Sequence, residues 1–132
     1  MKSYLYLARK DLETAEILLN STSFGHIARL CQQYVEKIMK FRIDRDGDTE
    51  DFSILRTHKI KRIAKRCEEL ADLHFTESEM LFFGDLSDFY FDTNYPTDDY
   101  FEVDRETAAD VYQKTIDFKQ KYEETIIKEN NE

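Results

Sequence analysis

Hydrophobic positions recur along this chain at intervals of three and four residues, the spacing of one face of an α-helix. The first such stretch covers residues 3–20, where the apolar positions are Leu5, Ala8, Leu12, Ala15 and Leu19. The second covers residues 24–43, where they are Phe24, Ile27, Ala28, Cys31, Tyr34, Val35, Ile38 and Phe41. This second stripe is the longest and most regular in the chain, so it predicts the central helix of the fold.

Three more helices are predicted further along the chain, at residues 58–74, 77–92 and 105–128. Thr76-x-x-Glu79 is a capping box, in which each side chain accepts a hydrogen bond from the other residue's backbone amide. Asp104 can cap the last helix in a similar way. The segments 44–57 and 93–103 break the helical period and are predicted as loops, and the second contains the only proline.

The order of these elements defines the fold class. No alternation of polar and apolar residues is long enough for a β-strand, and short connections between helices imply antiparallel neighbours. The pattern therefore predicts an all-α fold, an antiparallel up-and-down bundle of four to five helices. A chain of 132 residues has the length of one domain. We assign that domain to residues 1–128 and expect a frayed tail at residues 129–132.

Cysteine usage indicates reduced thiols, and the hydropathy pattern indicates a protein without a membrane-spanning helix. Cys31 and Cys67 both fall on apolar helical stripes, where a free cysteine acts as a small buried hydrophobe. There is no apolar run of about 20 residues and no basic segment followed by an apolar block at the start. We therefore expect a cytoplasmic protein with no membrane partner, and the sequence indicates no cofactor.

Two acidic groups have the residue types of a metal site. The segment Asp44-x-Asp46-Gly47-Asp48 resembles the start of a calcium loop, but Thr49 stands where the turn glycine belongs and Leu55 where the last ligand belongs. A second group, on one helical face, is formed by Asp85, Asp88 and Asp92. An exposed acidic face is the commoner explanation for such a group, so no metal site is predicted.

Charge is unevenly distributed. The chain carries 28 acidic against 19 basic residues, a formal charge of −9, which argues against DNA as a partner. Residues 56–66 nevertheless hold six cations and no acid, whereas residues 76–110 hold eleven acids and one arginine. Aromatic residues lie within this acidic region, at Tyr90, Phe91, Tyr95, Tyr100 and Phe101. They can stack on a nucleobase or simply pack over the end of the bundle.

Several segments, taken together, resemble the HEPN family of small helical bundles. The motif in the first helix is Ala8-x-x-Asp11-Leu12-x-x-Ala15. In the second helix, Gln32-Gln33-x-x-Glu36-Lys37-x-x-Lys40 matches the pattern QQ-x-x-EK-x-x-K. His58 follows at the head of an apolar helix, as in the family. Asn94-Tyr95-Pro96 stands where the family has an Arg-Tyr-Pro loop.

The resemblance implies an antiparallel bundle, a tendency to homodimerise, and association with nucleotides or RNA. Many relatives are encoded beside, or fused to, minimal nucleotidyltransferases, and several act as toxins of toxin–antitoxin systems or as defence ribonucleases. On this basis Arg62, Lys65, Arg66 and Tyr95 are the predicted nucleotide- or RNA-binding residues.

Ribonucleases of this family use an Arg-x(4–6)-His motif near the fourth helix and the loop after it. Residues 76–104 contain neither arginine nor histidine, and this spacing occurs nowhere in the chain. The sequence therefore favours a non-catalytic module that binds nucleotide or RNA or serves a nucleotidyltransferase partner. A ribonuclease with a displaced site at Arg56 and His58 stays open, as does a purely structural interaction module. For His58 the alternative to catalysis is a structural role, in the first turn of its helix and bonded to a neighbouring loop.

The charge asymmetry also bears on assembly. In a twofold-symmetric dimer the basic segment 56–66 of each subunit can meet the acidic region 76–110 of the other. We therefore expect a homodimer.

Overall fold

The computed structural model describes residues 3–94 and 103–128, with the backbone alone for residues 90–94. This part of the chain contains no strand, and its helices are α1 (Tyr4–Leu18), α2 (Phe24–Asp46), α3 (Phe52–Arg56), α4 (Ile60–Ala71), α5 (Glu77–Asn94) and α6 (Arg105–Ile127). Five of them are the predicted long helices, and α3 is a short addition. The all-α prediction is confirmed. Among the described residues, no helix has both the length and the apolar character that crossing a membrane requires.

Helix α2 is the centre of the bundle, as the stripe predicted. It packs against α1, α4, α5 and α6. The middle of the helix is fully enclosed, and its buried apolar residues include Tyr34, Val35, Ile38 and Met39. The two ends of the predicted stripe, Phe24 and Phe41, are only half-buried because they lie at the rims of the bundle.

The segment predicted as a polar loop at 44–57 is mostly helical, so that prediction was wrong. α2 continues to Asp46, and a short 3-10 turn at Thr49–Asp51 leads directly into α3. The turn is held at both ends, because the Asp48 carboxylate accepts from the Glu50 amide and the Asp51 carboxylate accepts from the Asp48 amide, each at 2.9 Å. These caps stabilise helical turns that have no apolar period of their own.

Helix α4 is shorter than predicted, Ile60–Ala71 instead of 58–74. Its start is fixed from outside, since the Ile60 amide donates to the Ser87 hydroxyl of α5 at 2.9 Å. Its end is fixed by Asp72, whose φ of 52° is left-handed and stops the helix. His58 therefore lies before α4, and its predicted place in the first turn was wrong.

The predicted caps of the last two helices are confirmed. Glu79 accepts from the Thr76 amide at 2.7 Å, and Thr76 accepts from the Glu79 amide at 3.1 Å. Asp104 accepts from the Thr107 amide at 2.8 Å. These reciprocal bonds satisfy amides that a helix start leaves without intrahelical partners.

Arg42 links three helices at one end of the bundle. Its guanidinium is buried and donates to the carbonyl oxygens of Leu70 at 2.7 Å and Ile126 at 3.0 Å, near the ends of α4 and α6. The Asp46 carboxylate lies 2.6 Å from its Nε atom. Carbonyls at helix ends lack intrahelical donors and carry partial negative charge, so a buried cation suits them. The central helix thus holds two of its neighbours by their C-terminal turns.

Candidate functional site

The residues that carry the family resemblance form a polar network inside the fold. Glu36 of α2 is buried, and its carboxylate accepts from the Gln32 amide at 2.8 Å and the Lys40 ammonium at 3.0 Å. Gln32, Glu36 and Lys40 lie four residues apart, so they share one face of α2. His58 completes the network, with Nδ1 at 3.1 Å from the same carboxylate.

This contact fixes the orientation of His58. A carboxylate only accepts hydrogen bonds, so the Nδ1 atom facing Glu36 carries the hydrogen. The imidazole side chain is 34% exposed, while the carboxylate that orients it is buried. One partner of His58 is therefore a buried residue of α2, and the expected bond to a neighbouring loop stays a prediction. A carboxylate behind the imidazole is an arrangement that also serves acid–base catalysis.

The other half of the motif ties α1 to α2. The Lys37 ammonium lies 2.6 Å from the Asp11 carboxylate, so the two helical motifs meet in one ion pair. Gln33 donates to the Gln32 side-chain oxygen at 2.7 Å. The resemblance at these positions thus corresponds to contacts that hold two helices and their side chains in place.

The basic segment 56–66 contacts the 3-10 turn and α3. The Arg66 guanidinium contacts the buried Asp51 carboxylate with Nε at 2.8 Å and Nη2 at 3.0 Å. These hydrogen bonds hold the pKa of Asp51 below its usual range. A bidentate pair of this kind occupies the guanidinium edge that a phosphate would use. The geometry therefore gives Arg66 a role in holding the turn against α4.

The other predicted cations lie nearby on the surface. The Arg62 side chain is exposed and donates to the Ser53 hydroxyl at 2.9 Å, and Lys65 is exposed one turn further along α4. Arg56 lies over the Phe52 ring, 5.5 Å from its centroid. Tyr95 lies outside the described residues, so its predicted role in binding a nucleotide or RNA stays a prediction.

A wide cleft lies at the other end of α2. It has a volume of about 830 Å³ and lies between α1 and the first half of α2, with Val103 at its edge. The ionisable side chains that line it are Asp11, His26, Arg29 and Lys37. Hydroxyl groups of Thr22 and Ser23 lie at the start of the helix, where the Ser23 side chain makes no capping bond.

The cleft favours anions. Among the residues that the structure describes, two permanent cations face it against one carboxylate, and that carboxylate is paired with Lys37. The N-terminus of α2 adds the partial positive charge of a 23-residue helix. Phe24 provides an aromatic ring at the same end, with the Arg105 guanidinium 5.0 Å from its centroid. The arrangement can bind a phosphate-bearing molecule and offer its base an aromatic surface.

The residues of this cleft were not among the predicted binding residues. His26, Arg29, Gln33 and Lys37 recur at intervals of three and four along α2, which is a polar stripe beside the apolar one. That signal was present in the sequence. The sequence does not show that these residues line a cleft, because the cleft forms only where α1 packs back against α2.

No metal site accompanies these features within residues 3–89 and 103–128, where no three metal-ligating side chains converge. Of the acidic group on α5, Asp85 and Asp88 are exposed. The side chain of Asp92 lies outside the described residues.

Comparison with known proteins places the chain in a family. The family described as HEPN domain matches residues 1–125, almost the whole chain. Comparison with curated proteins and with solved structures finds no match. The match covers the helices that form both the polar network of Glu36 and the cleft between α1 and α2, and the chain therefore belongs to the HEPN domain family.

Proposed function

We propose that this protein is a non-catalytic HEPN module that binds a nucleotide or RNA in the cleft between α1 and α2 and serves as the accessory partner of a nucleotidyltransferase. The observation that carries the ligand-binding part is the cleft itself. Its volume of about 830 Å³ falls in the range of small-molecule sites.

The chemistry of the cleft fits a phosphate group. An arginine offers a planar fork of donors for phosphate oxygens, and a lysine adds a point charge. Backbone amides at the start of a helix are donors of the same kind. Arg29 and the first turn of α2 face one cleft, and Lys37 adds its charge there while it is paired with Asp11. The protein as a whole is acidic, whereas among the described residues that line the cleft the permanent cations outnumber the carboxylates.

The absence of the ribonuclease motif supports the non-catalytic part of the proposal. Cleavage at a 2′-hydroxyl needs a proton-transfer group and a cation for the developing negative charge. Residues 76–104 supply neither histidine nor arginine. The exposed carboxylates Asp85 and Asp88 on α5 raise the negative potential there and oppose a phosphodiester.

Binding assays with defined probes test the ligand site. We expect ATP, or a fluorescein-labelled single-stranded RNA, to bind the wild type, with affinity that falls as salt rises. His26→Ala/Arg29→Ala should weaken binding by about tenfold or more, because both side chains face the cleft. The matched control is Arg62→Ala/Lys65→Ala, which removes two cations from the outer face of α4. Loss of binding in the control alone would move the ligand to the basic segment.

Co-purification tests the partner. A nucleotidyltransferase encoded beside this chain, expressed with it, should elute as a complex. If neither ATP nor RNA binds and no such complex forms, the purely structural module is the better description.

A second function, RNA cleavage at a displaced site, is favoured by one observation. His58 has a buried carboxylate 3.1 Å from Nδ1, which orients its ring as in an acid–base pair. A metal-free RNA digestion assay separates the two functions. Our proposal expects no cleavage by the wild type, His58→Ala or Arg56→Ala. Robust cleavage that is lost in His58→Ala and kept in the control His74→Ala, an exposed histidine, would establish the displaced site.

A further inference from the structure

Helix α5 carries more apolar surface than the core buries. Met80, Leu81, Phe82 and Phe83 are consecutive, and successive helical residues point about 100° apart, so the four cannot all face one side. Phe83 is fully buried, Phe82 is half-buried and Leu81 is 60% exposed. The outer side of α5 therefore keeps an apolar ridge, formed by Leu81 and Phe82.

This ridge borders a groove between α5 and α6. Both helices pack on α2, but within the described residues their backbones seldom come close to each other. Aromatic side chains bridge the space between them, with the rings of Phe83 and Phe118 edge to face and their centroids 5.8 Å apart. Two adjoining hollows, of about 380 and 330 Å³, follow the two helices and share Phe82, Asp85 and Lys114. Together they form one groove with an aromatic floor.

The length of the groove suits a helix. Its lining runs along α5 from Ser78 to Phe89 and returns along α6 from Thr107 to Lys121. At a rise of 1.5 Å per residue, these stretches are about 17 and 21 Å long, or roughly three to four helical turns. A partner helix of about 14 residues has the same length, and such a helix binds a groove through apolar residues spaced three and four apart.

Carboxylates line the groove on both sides of its floor. Those of α5 are Glu79, Asp85 and Asp88, and those of α6 are Asp110 and Asp117. The described lining also holds two lysines, of which Lys114 lies 3.1 Å from Asp110 and Lys121 lies 3.0 Å from Glu79. Each lysine is therefore offset by one carboxylate, and the groove keeps an excess of negative charge.

These two features define the chemistry of an occupant. The aromatic floor favours leucine or phenylalanine side chains, which leave water when they pack on it. The carboxylates on each side favour lysine or arginine and repel an acidic segment. The groove therefore fits a helix with one apolar stripe and cations on both flanks of that stripe.

The exposed helical faces of this chain do not offer that combination in the part that the structure describes. α4 exposes Lys61, Arg62 and Lys65 but no large apolar side chain. α1 exposes large apolar side chains, but as many acids as cations are exposed among them. α3 has the exposed Phe52 beside Arg56, but with five residues it is too short for the groove. The charge and the length of the groove therefore favour a different protein over a second copy of this chain.

We propose that the groove between α5 and α6 binds a basic amphipathic helix of another protein. The apolar residues of that helix pack on the aromatic floor and against the ridge of Leu81 and Phe82, and its cations meet the carboxylates on both sides. Apolar contact supplies the affinity, and the charges select the partner and set its orientation. This surface is separate from the cleft between α1 and α2 and does not depend on the ligand proposed there.

A synthetic peptide tests the groove. The probe is a fluorescein-labelled helix of leucine and lysine, about 14 residues long, with its leucines three and four residues apart. Fluorescence anisotropy should show that it binds the wild type, and that Asp85→Lys/Asp117→Lys binds it at least about tenfold more weakly. Glu16→Lys/Glu124→Lys is the matched control, because it makes the same charge change at exposed positions outside the groove. The control should bind the peptide as the wild type does.

The apolar half of the interface has its own test. Leu81→Ser changes no charge and should weaken binding about fivefold, because it removes part of the ridge. Its matched control is Ile17→Ser on α1, where the isoleucine is 68% exposed and far from the groove in the fold. A peptide of the same composition in scrambled order, which has no apolar stripe, should bind the wild type at least about tenfold more weakly. Circular dichroism confirms that each compared variant is folded.

Three results would overturn the proposal. The first is a wild type that does not bind the peptide, whether or not ATP or RNA binds in the cleft. The second is equal binding of the scrambled peptide, because the groove would then respond to charge alone. The third is a wild-type dimer, seen by sedimentation, that the peptide dissociates and that is lost in Asp85→Lys/Asp117→Lys but kept in the Glu16→Lys/Glu124→Lys control. That result would assign the groove to a second copy of this chain.

Discussion

At the scale of single residues, Glu36 is the carboxylate on which the polar interior depends. It is buried, and it accepts hydrogen bonds from Gln32, Lys40 and His58. A buried charge is tolerated only when it is paired and hydrogen-bonded. Removing it leaves a lysine ammonium in the interior without its counter-charge, and such a loss costs more than the net gain from forming the pair.

Glu36→Gln should therefore lower the free energy of unfolding by about 3 kcal/mol. The glutamine keeps the size of the side chain, so the change isolates the charge. Urea denaturation followed by circular dichroism measures it. The control Glu16→Gln, at an exposed position of α1, should stay within about 0.5 kcal/mol of the wild type. Equal midpoints for the two variants would show that the network contributes nothing to stability.

The thiols are a second case of burial controlling chemistry. Burial raises the pKa of Cys31 to about 12 and that of Cys67 to about 12. The reactive species is the thiolate, which at such a pKa is only roughly one in ten thousand of the molecules at pH 8. We expect iodoacetamide to leave both residues unmodified in the native protein and to alkylate both in guanidinium chloride, as mass spectrometry can show. Fast labelling of the native protein would mean that one helix opens readily.

At the scale of elements, α2 carries both kinds of organisation. One stripe builds the core, a second forms the network of Glu36, and a third lines the cleft. A helix with neighbours on most of its sides has little surface left for solvent. Its packing should therefore respond to a truncation more than that of α1 or α6.

Ile38→Ala should destabilise the protein by about 2–5 kcal/mol, because the side chain is fully buried and the helices around it can close the cavity only in part. The matched control is Ile17→Ala on α1, where the isoleucine is 68% exposed. Chemical denaturation of both variants gives the difference. If the Ile38 variant unfolds at the wild-type midpoint, the core does not centre on α2.

At the scale of the whole molecule, cysteine thiols and tyrosine hydroxyls with raised pKa values make the free energy of unfolding depend on pH in the alkaline range. Burial raises the pKa values of both cysteines and of Tyr34, Tyr112 and Tyr122. The native state keeps these protons at a pH where the unfolded chain has released them. Stability falls with pH wherever the native state binds more protons. The charge of −9 grows over the same range and adds repulsion.

The melting temperature should therefore fall as the pH rises above about 8.5, the pKa of an unfolded cysteine. Each buried thiol contributes about 1.4 kcal/mol of lost stability per pH unit until its folded pKa is reached. Thermal melts at about pH 7, 9 and 10, recorded by circular dichroism, measure this effect. Cys31→Ala/Cys67→Ala should show a shallower loss. A melting temperature that is constant over this range would mean that the thiols are not protected.

The number and type of the long helices followed from the sequence, since the recurrence of apolar residues every three to four positions is a local property. The spacing of Leu5, Ala8 and Leu12 is enough to predict one helix, and the longer stripe of α2 is enough to predict which helix is central. The capping roles of Thr76 and Asp104 could also be predicted from the sequence, because a cap bonds to amides only two or three residues away. The resemblance to the HEPN family was also visible in short motifs within single helices, such as Gln32-Gln33-x-x-Glu36-Lys37.

Tertiary structure decided what the polar residues do, because their partners are distant in the sequence. His58 meets Glu36 across 22 positions, and Arg66 meets Asp51 across 15. Neither separation has a periodic signature. The cleft beside Arg29 exists because α1 folds back along α2. Apolar spacing fixes which face of a helix is buried, whereas the surfaces between helices arise only from how those faces come together.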